Sequence, residues 1–263
     1  MEVLFFYTLF GFFMTIPISS DVFSLSFRMH LVILFKSFII FVAWICALNS
    51  IKRLPISVYS VVDTLRAVFS IILGVLFLKE TVSLNQGIGI ALVLAGITLV
   101  NLTSKKGSND RINVKLLVLM LISCMLNALS GMTDKWLLST EITDRFFIGT
   151  EVVESAQMQM WYMLYMAAFY GLYILIRREK VNFKKCVKDP YIWLMSLLFI
   201  VADRALFIAN ESPNSTTVVM TVIKQSSILI TVLLGKLIFK EQNIIKRLLC
   251  ASLVALGIVI SVI

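Results

Sequence analysis

One short segment occurs twice in this chain, and its repetition decides the fold. The first copy, from Ile72 to Glu80, reads Ile-Leu-Gly-Val-Leu-Phe-Leu-Lys-Glu. The second copy, from Leu233 to Glu241, reads Leu-Leu-Gly-Lys-Leu-Ile-Phe-Lys-Glu. At the same offset, Gly96 of the next apolar run matches Gly257. A gap-free match across two consecutive hydrophobic runs indicates an internal duplication.

The composition places the chain in a membrane. Hydrophobic residues make up 59% of its 263 residues, and charged residues only 15%. Soluble domains carry about 25% charged residues and roughly 45–50% apolar ones. The apolar residues fall in runs of roughly 18–25, which is long enough for a helix to cross a hydrocarbon core of about 30 Å. The sequence therefore predicts an all-α polytopic membrane protein.

Charge and chemistry-bearing residues exclude several other classes. The formal net charge is +9, but Lys and Arg cluster in short loops, where they orient membrane proteins. We therefore expect no nucleic-acid partner. The four cysteines have neither CxxC nor metal-ligand spacing, and His30 is the single histidine. Because HExxH, P-loop and GxSxG motifs do not occur in the sequence, we predict no enzymatic activity, no cofactor and no metal.

The apolar runs predict nine helices joined by short connections. Pro55, Pro190 and Pro213 mark helix boundaries, because proline lacks the backbone N–H that a helix interior needs. The predicted helices span roughly 3–18, 31–51, 55–79, 84–102, 115–137, 158–177, 190–209, 214–239 and 244–262.

The nine helices divide into two unequal repeats. The first repeat covers residues 1–104 with four helices, and the second covers residues 112–263 with five. Because the first repeat lacks a counterpart of the 115–137 helix, we expect ten helices (five plus five) in a full-length protein that begins upstream of Met1. An odd number of helices per repeat inverts the second repeat. Many secondary transporters share this plan, with a binding site near the midplane between the repeats.

Several motifs resemble one transporter family. The repeated Lys-Glu turn, the late glycines Gly96 and Gly257 and the five-plus-five plan resemble EamA-type members of the drug/metabolite transporter superfamily. Leu54-Pro55-Ile56, Ser130-Gly131-Met132-Thr133-Asp134-Lys135 and Phe239-Lys240-Glu241 are similar to bacterial members. The resemblance covers essentially the whole chain. It implies that the first four helices of each repeat line a central cavity and that the fifth packs at the periphery. The chain departs from the family in its missing first helix.

Ionisable residues deep in a spanning helix are costly, so each is a candidate site residue. Aromatic and amide side chains on the same helices can contribute to a cavity wall. The candidate cavity or coupling residues are Lys36, Trp44, Asp63, Arg66, Asn127, Asp134, Lys135, Asp203, Arg204 and Lys224.

Two of these candidates can neutralise each other. Asp63 and Arg66 are i,i+3 neighbours on one helical face, so they can form an ion pair. They are either such a structural pair or polar groups of the cavity.

Lys224 is harder to explain as structural. It lies ten residues into its predicted helix, about 15 Å deep at 1.5 Å per residue. Its expected partner is Asp203 on the preceding helix, either in a solvated cavity or in a structural bridge. By repeat symmetry Trp44 takes the place of Asp203. Arg204 is adjacent to Asp203 and must face another way, so we expect one of the two to contact a different helix.

The remaining candidates have simple structural alternatives. Lys36 is expected near a helix start and Lys135 near a helix end, so both can snorkel to the interface. Asp134 is expected at the same helix end, where charge is tolerated. Asn127 can hydrogen-bond across helices or to a substrate.

The leading hypothesis is an integral membrane secondary transporter that moves a small polar or amphipathic metabolite by alternating access. Its substrate would bind in a central cavity between the two repeats. The alternative is a non-transporting scaffold or lipid-handling protein of the same fold. We expect it in the cell (plasma or inner) membrane, in contact with the lipid bilayer. A homodimer through the last helix of a repeat is possible, because small residues there suit either dimerisation or intramolecular packing.

Overall fold

The fold is helical throughout the part of the chain that the structure describes. A computed structural model describes residues 1–18, 24–54, 62–63, 65–103, 114–140, 151–179, 181–212, 215–225, 249, 252–257 and 259–260. Its helices are α1 (Glu2–Thr15, continued by a 3-10 turn Ile16–Ile18), α2 (Phe27–Ile51), α3 (Leu65–Leu78), α4 (Leu84–Thr103), α5 (Val114–Leu138), α6 (Ser155–Arg177), α7 (Phe183–Lys188), α8 (Pro190–Glu211) and α9 (Thr217–Gln225).

Four of these helices are long and apolar enough to cross a membrane, namely α2, α5, α6 and α8. Shorter apolar helices lie at Glu2–Ile18, Leu65–Leu78 and Leu84–Gly96. The predicted class is confirmed: the chain is an all-α polytopic membrane protein. The predicted 55–79, 214–239 and 244–262 helices fall partly outside the described residues, as do Pro55, Pro213, Gly235 and Glu241.

Local hydrogen bonds explain where the helix boundaries differ from those predicted. Helix α2 begins at Phe27, earlier than expected, because the Ser26 hydroxyl accepts a hydrogen bond from the Met29 amide (3.4 Å). Helix α6 begins at Ser155, whose amide donates to Glu211 Oε1 at 2.7 Å. The predicted boundary at Pro190 is confirmed, and the Asp189 side chain accepts from the Tyr191 amide there.

Helix α7 was not predicted, because it is too short to give a periodic signal. Asn182 caps it by accepting a hydrogen bond from the Lys185 amide at 3.2 Å. The Cys186 residue of this helix is 6% exposed, and its thiol is hydrogen-bonded to the side chain of Glu2. Burial, and then this bond, raise the pKa of the Cys186 thiol to about 11.

The thiol of Cys186 is therefore expected to resist alkylation. Because the thiolate is the reactive form, its alkylation rate should keep rising above pH 10 instead of levelling off near pH 9. Iodoacetamide alkylation of a variant that keeps only this cysteine measures the profile. Glu2→Gln, which removes the carboxylate, should shift the profile to lower pH. A plateau near pH 9 in the unaltered background contradicts the expectation.

The described helices form two compact units. The first unit comprises Met1–Val42 and Thr133–Ser215. Within it α1 packs against α6 and α8. The rings of Phe10 and Trp193 stack at 3.9 Å, and the Ser196 hydroxyl donates to the carbonyl oxygen of Tyr7.

The second unit comprises Ala43–Met132 and Thr216–Ile263. One of its apolar clusters gathers Leu54, Val62, Leu116, Met120 and Cys124. A second cluster gathers Val93, Val222 and Val254. Each unit takes helices from both predicted repeats, so the repeat boundaries at 1–104 and 112–263 stay predictions.

The first copy of the repeated Lys-Glu turn ends α3. Its glutamate, Glu80, also accepts hydrogen bonds from the first residue of α9, which lies far away in the chain. Lys79 has a left-handed φ of 54°, which ends the helix, and the Glu80 amide donates to the carbonyl oxygen of Gly74 at 3.3 Å. The Glu80 carboxylate accepts from the Thr217 amide at 2.8 and 3.0 Å and from its hydroxyl at 2.8 Å. A Cβ at Gly74 would lie 2.9 Å from Glu80 Oε2. Glycine at position 74 therefore leaves room for the carboxylate that holds the start of α9.

Removing this carboxylate should loosen the start of α9. We expect Glu80→Ala to lower the free energy of unfolding by about 2 kcal/mol, because charge-assisted bonds to a helix N-terminus are lost. Glu80→Gln keeps an acceptor oxygen and should cost about half as much. Denaturant titrations in detergent measure both variants. A Glu80→Gln variant as stable as the natural protein would argue against a role for the negative charge.

Candidate functional site

A buried ion pair lies in the first unit. Helix α2 carries Lys36 and helix α5 carries Asp134, and Lys36 Nζ lies 2.5 Å from Asp134 Oδ1. Lys36 is 1% exposed and Asp134 is 5% exposed. Taking both ions out of water costs several kcal/mol each, which only close pairing can offset. The two residues therefore depend on each other.

Two aromatic rings complete the surroundings of the Lys36 ammonium group. Lys36 Nζ lies 4.0 Å from the ring centroid of Tyr162 on α6 and 4.9 Å from that of Phe207 on α8. Both distances are within the range of a cation–π contact. Tyr162 is 6% exposed and Phe207 is 1% exposed, and their rings lie edge to face at 6.4 Å. We call Lys36, Asp134, Tyr162 and Phe207 the ammonium cluster.

The structure corrects the expectation that Lys36 and Lys135 snorkel. Lys36 lies in the interior of α2, which begins at Phe27, and its ammonium group is paired inside the protein. Lys135 is 5% exposed and also turns inward. Burial in a protein interior, rather than access to the interface, decides where both amines lie.

Lys135 binds the turn that follows α8. Its ammonium group donates to the carbonyl oxygens of Asn210 (3.3 Å) and Ser212 (3.0 Å). It also donates to the Ser215 hydroxyl at 2.7 Å. The charge of Lys135 is thus directed at backbone and hydroxyl acceptors of this turn.

Asp203 contributes a second carboxylate to the first unit. It lies one turn before Phe207 on α8, so the two residues share a helical face. Asp203 acts electrostatically on the hydroxyl groups of Tyr7 and Tyr162, and Asp134 acts on Tyr162 as well. The neighbouring Arg204 is half-buried. The first unit therefore holds five of the predicted candidates, namely Lys36, Asp134, Lys135, Asp203 and Arg204.

The other five candidates belong to the second unit. Asp63 and Arg66 form the predicted i,i+3 ion pair, which is confirmed. Both side chains keep more than a third of their surface exposed, a state in which an ion pair adds little stability. Because the pair is half-exposed, it is compatible with both predicted roles, a structural ion pair and polar groups of the cavity.

Lys224 is the eighth residue of α9, and its side chain is exposed. A Cβ at Gly131 would lie 3.9 Å from Lys224 Nζ, so the ammonium group lies against α5. The predicted partner, Asp203, belongs to the other unit, and that pairing stays a prediction. Trp44 is half-buried, and its correspondence to Asp203 also stays a prediction.

Asn127 hydrogen-bonds within its own helix. Its Nδ2 donates to the Ser123 carbonyl oxygen at 2.8 Å. The Ser123 hydroxyl in turn donates to the carbonyl oxygen of Ala43 at 2.8 Å. The bond to Ala43 across helices comes from Ser123, and the two alternatives for Asn127, a bond across helices or one to a substrate, stay predictions.

The sequence did not indicate Tyr162 and Phe207. Apolar and aromatic residues are frequent in every predicted helix, so no spacing singles out a ring that faces a cation. His30, to which no role was assigned, bonds to the Tyr165 hydroxyl at 3.0 Å. Its ring also lies edge-on to Trp161.

Comparisons with known proteins support the predicted resemblance. Residues 1–102 match the EamA-like transporter family model. A solved crystal structure aligns with 98% of this chain and 84% of its own, at a TM-score of 0.72 and 12% identity. At that identity the likeness concerns the fold alone. No curated protein matches the sequence.

The matched family is one of membrane transporters, and the match ends at residue 102 of 263. It covers the first copy of the repeated turn, whose Gly74 and Glu80 hold the start of α9. The predicted resemblance is confirmed for residues 1–102, which are similar to the EamA-like transporter family.

Proposed function

We propose that the protein is a secondary transporter that moves a small polar or amphipathic metabolite by alternating access. The observation that carries the proposal is the ammonium cluster, where a lysine and a carboxylate are buried among aromatic rings. Ionisable residues inside membrane helices usually mark substrate or ion pathways. Polar groups set among aromatic side chains are also typical of small-molecule sites.

A buried ion pair is suited to switching between two states. Breaking it without compensation leaves charges unpaired, which costs several kcal/mol. A ligand that offers its own charged or polar group can replace one partner and remove that cost. The ligand then binds one conformation better than the other, which is what shifts a conformational equilibrium.

The first test is transport itself. A thermal-shift screen of polar and amphipathic metabolites on the purified protein selects stabilising ligands, which are then assayed for uptake into proteoliposomes. We expect at least one ligand to accumulate faster than in protein-free liposomes. Asp134→Asn should abolish this accumulation, whereas Glu179→Gln, a change at an exposed loop carboxylate, should leave it intact.

A second candidate function is a non-transporting membrane scaffold or lipid-handling protein. Two observations favour it, namely the paired charges of Lys36 with Asp134 and of Asp63 with Arg66. A scaffold would bind ligands without moving them. Uptake equal to that of protein-free liposomes for every stabilising ligand would support the scaffold over the transporter.

We further propose that the protein lies in the plasma or inner membrane and acts without covalent chemistry. Homodimerisation through the last helix of a repeat also stays a proposal, and the structure limits which face of that helix could form the contact. Gly257, which belongs to the last predicted helix, packs within its own unit against Gly89 and Val93. A dimer contact through this helix would therefore use a different face.

A further inference from the structure

The surroundings of the Lys36 ammonium group are those of a receptor for an organic amine. A carboxylate oxygen lies 2.5 Å away, and the faces of Tyr162 and Phe207 lie 4.0 and 4.9 Å away. A carboxylate combined with aromatic faces is the usual way in which proteins bind ammonium groups. Here the group that fills the site comes from the protein's own chain.

We propose that Asp134, Tyr162 and Phe207 form the binding site for the ammonium group of a primary amine, and that Lys36 occupies this site when substrate is absent. The proposal rests on the proposed transport function and names its substrate class. An arriving amine displaces Lys36 from Asp134 and takes its place between the rings. Lys36 is then an internal competitor for the site.

The charges around the cluster favour a cation over an anion. Tyr162 experiences the carboxylates of both Asp134 and Asp203, and an anionic ligand would be repelled by both. Asp203 lies one turn before Phe207 on α8. The other nearby amine, Lys135, is bound to acceptors of the 210–215 turn.

The short contact between Lys36 and Asp134 narrows the class to amines with N–H donors. A nitrogen 2.5 Å from a carboxylate oxygen must face it with N–H protons, because methyl groups on the nitrogen would clash at that distance. Quaternary ammonium ions have no N–H protons, and their methyl groups hold the charge farther from a carboxylate. The aromatic faces in turn suit an amine that carries an apolar body.

The test compares four probes with a common phenyl group, namely phenethylamine, 2-phenylethanol, 3-phenylpropanoate and phenylalanine. Calorimetric titration measures their binding to the purified full-length protein. We expect phenethylamine to bind at least about tenfold more tightly than each of the others. Equal binding of the amine and the alcohol would overturn the proposal, because the site would then be merely apolar. If phenylalanine binds more tightly than phenethylamine, the ligands are zwitterions and the proposed class of simple amines is wrong.

Lys36→Met tests the internal competitor. Because Lys36 no longer fills the site, the variant should bind phenethylamine about tenfold or more tightly than the natural protein does. If Lys36 has only a structural role, Lys36→Met should bind phenethylamine equally well or more weakly. That result would refute the proposal that Lys36 competes with the amine. Phe207→Leu keeps the ion pair and provides a second variant should Lys36→Met not fold. Phe207→Leu should weaken the binding of phenethylamine several-fold without changing the affinity for 3-phenylpropanoate.

The two proposals fail in different ways. Proteoliposome transport of compounds that lack an amine, with no preference for phenethylamine, would refute the amine site and leave the transport function standing. Specific binding of phenethylamine without transport of any compound would refute the transport function and leave the site standing. Glu179→Gln serves as the control in both assays.

Discussion

Lys36→Met is expected to lower the free energy of unfolding by about 3–5 kcal/mol, because it leaves the carboxylate of Asp134 buried without its partner. Methionine has nearly the length of lysine, so loss of packing contributes little. Asp134→Leu should cost a similar amount, since it strands the ammonium group of Lys36. These two changes should be among the most damaging in the first unit.

The double variant Lys36→Met/Asp134→Leu provides the control. Replacing a whole buried pair by apolar residues is often neutral or even stabilising. We therefore expect the double variant to recover most of the stability that either single variant loses. Denaturant unfolding in detergent, followed by circular dichroism, measures all four proteins. Additive losses would show that the two residues do not act as a pair.

Gly257→Ala is expected to disrupt the packing of the second unit. A Cβ at this position would lie 2.6 Å from the carbonyl oxygen of Gly89 and 2.9 Å from the amide nitrogen of Val93. Backbone atoms cannot rotate away as a side chain can, so the helices must separate. Such overpacking typically costs about 1–3 kcal/mol. The measurement is again the free energy of unfolding in detergent.

Gly87→Ala is the matched control, because α4 carries this glycine and no atom lies within 4 Å of a Cβ built there. Alanine is the better helix former by about 1 kcal/mol. The control variant should therefore be as stable as the natural protein or slightly more stable. A Gly257→Ala variant as stable as Gly87→Ala would refute the close helix contact.

The repeated turn shows how a sequence motif becomes a structural contact. The match of Gly74 and Glu80 to Gly235 and Glu241 pointed to a duplication, but it gave no reason for conserving these residue types between the copies. In the first copy the structure supplies one, since Glu80 passes over Gly74 to the amide of Thr217. The second copy lies outside the described residues.

The sequence by itself determined the membrane class, most of the described helices and the ion pair between Asp63 and Arg66. The length of an apolar run can be read directly from the sequence, and a helix needs about 20 apolar residues to cross a bilayer. Asp63 and Arg66 could be paired in advance because residues three apart share a helical face. The sequence motifs likewise indicated the transporter family whose model matches residues 1–102.

Only the tertiary structure decided which distant side chains meet. Lys36 and Asp134 come from helices far apart in the chain, and both had a simpler explanation as residues near helix ends. Tyr162 and Phe207 carry no charge and have no distinctive spacing, so nothing marks them among the many aromatic residues. The physical reason is that helical periodicity fixes the face a residue occupies along its own helix. The neighbour that this face meets depends on how the helices pack, and periodicity does not encode that.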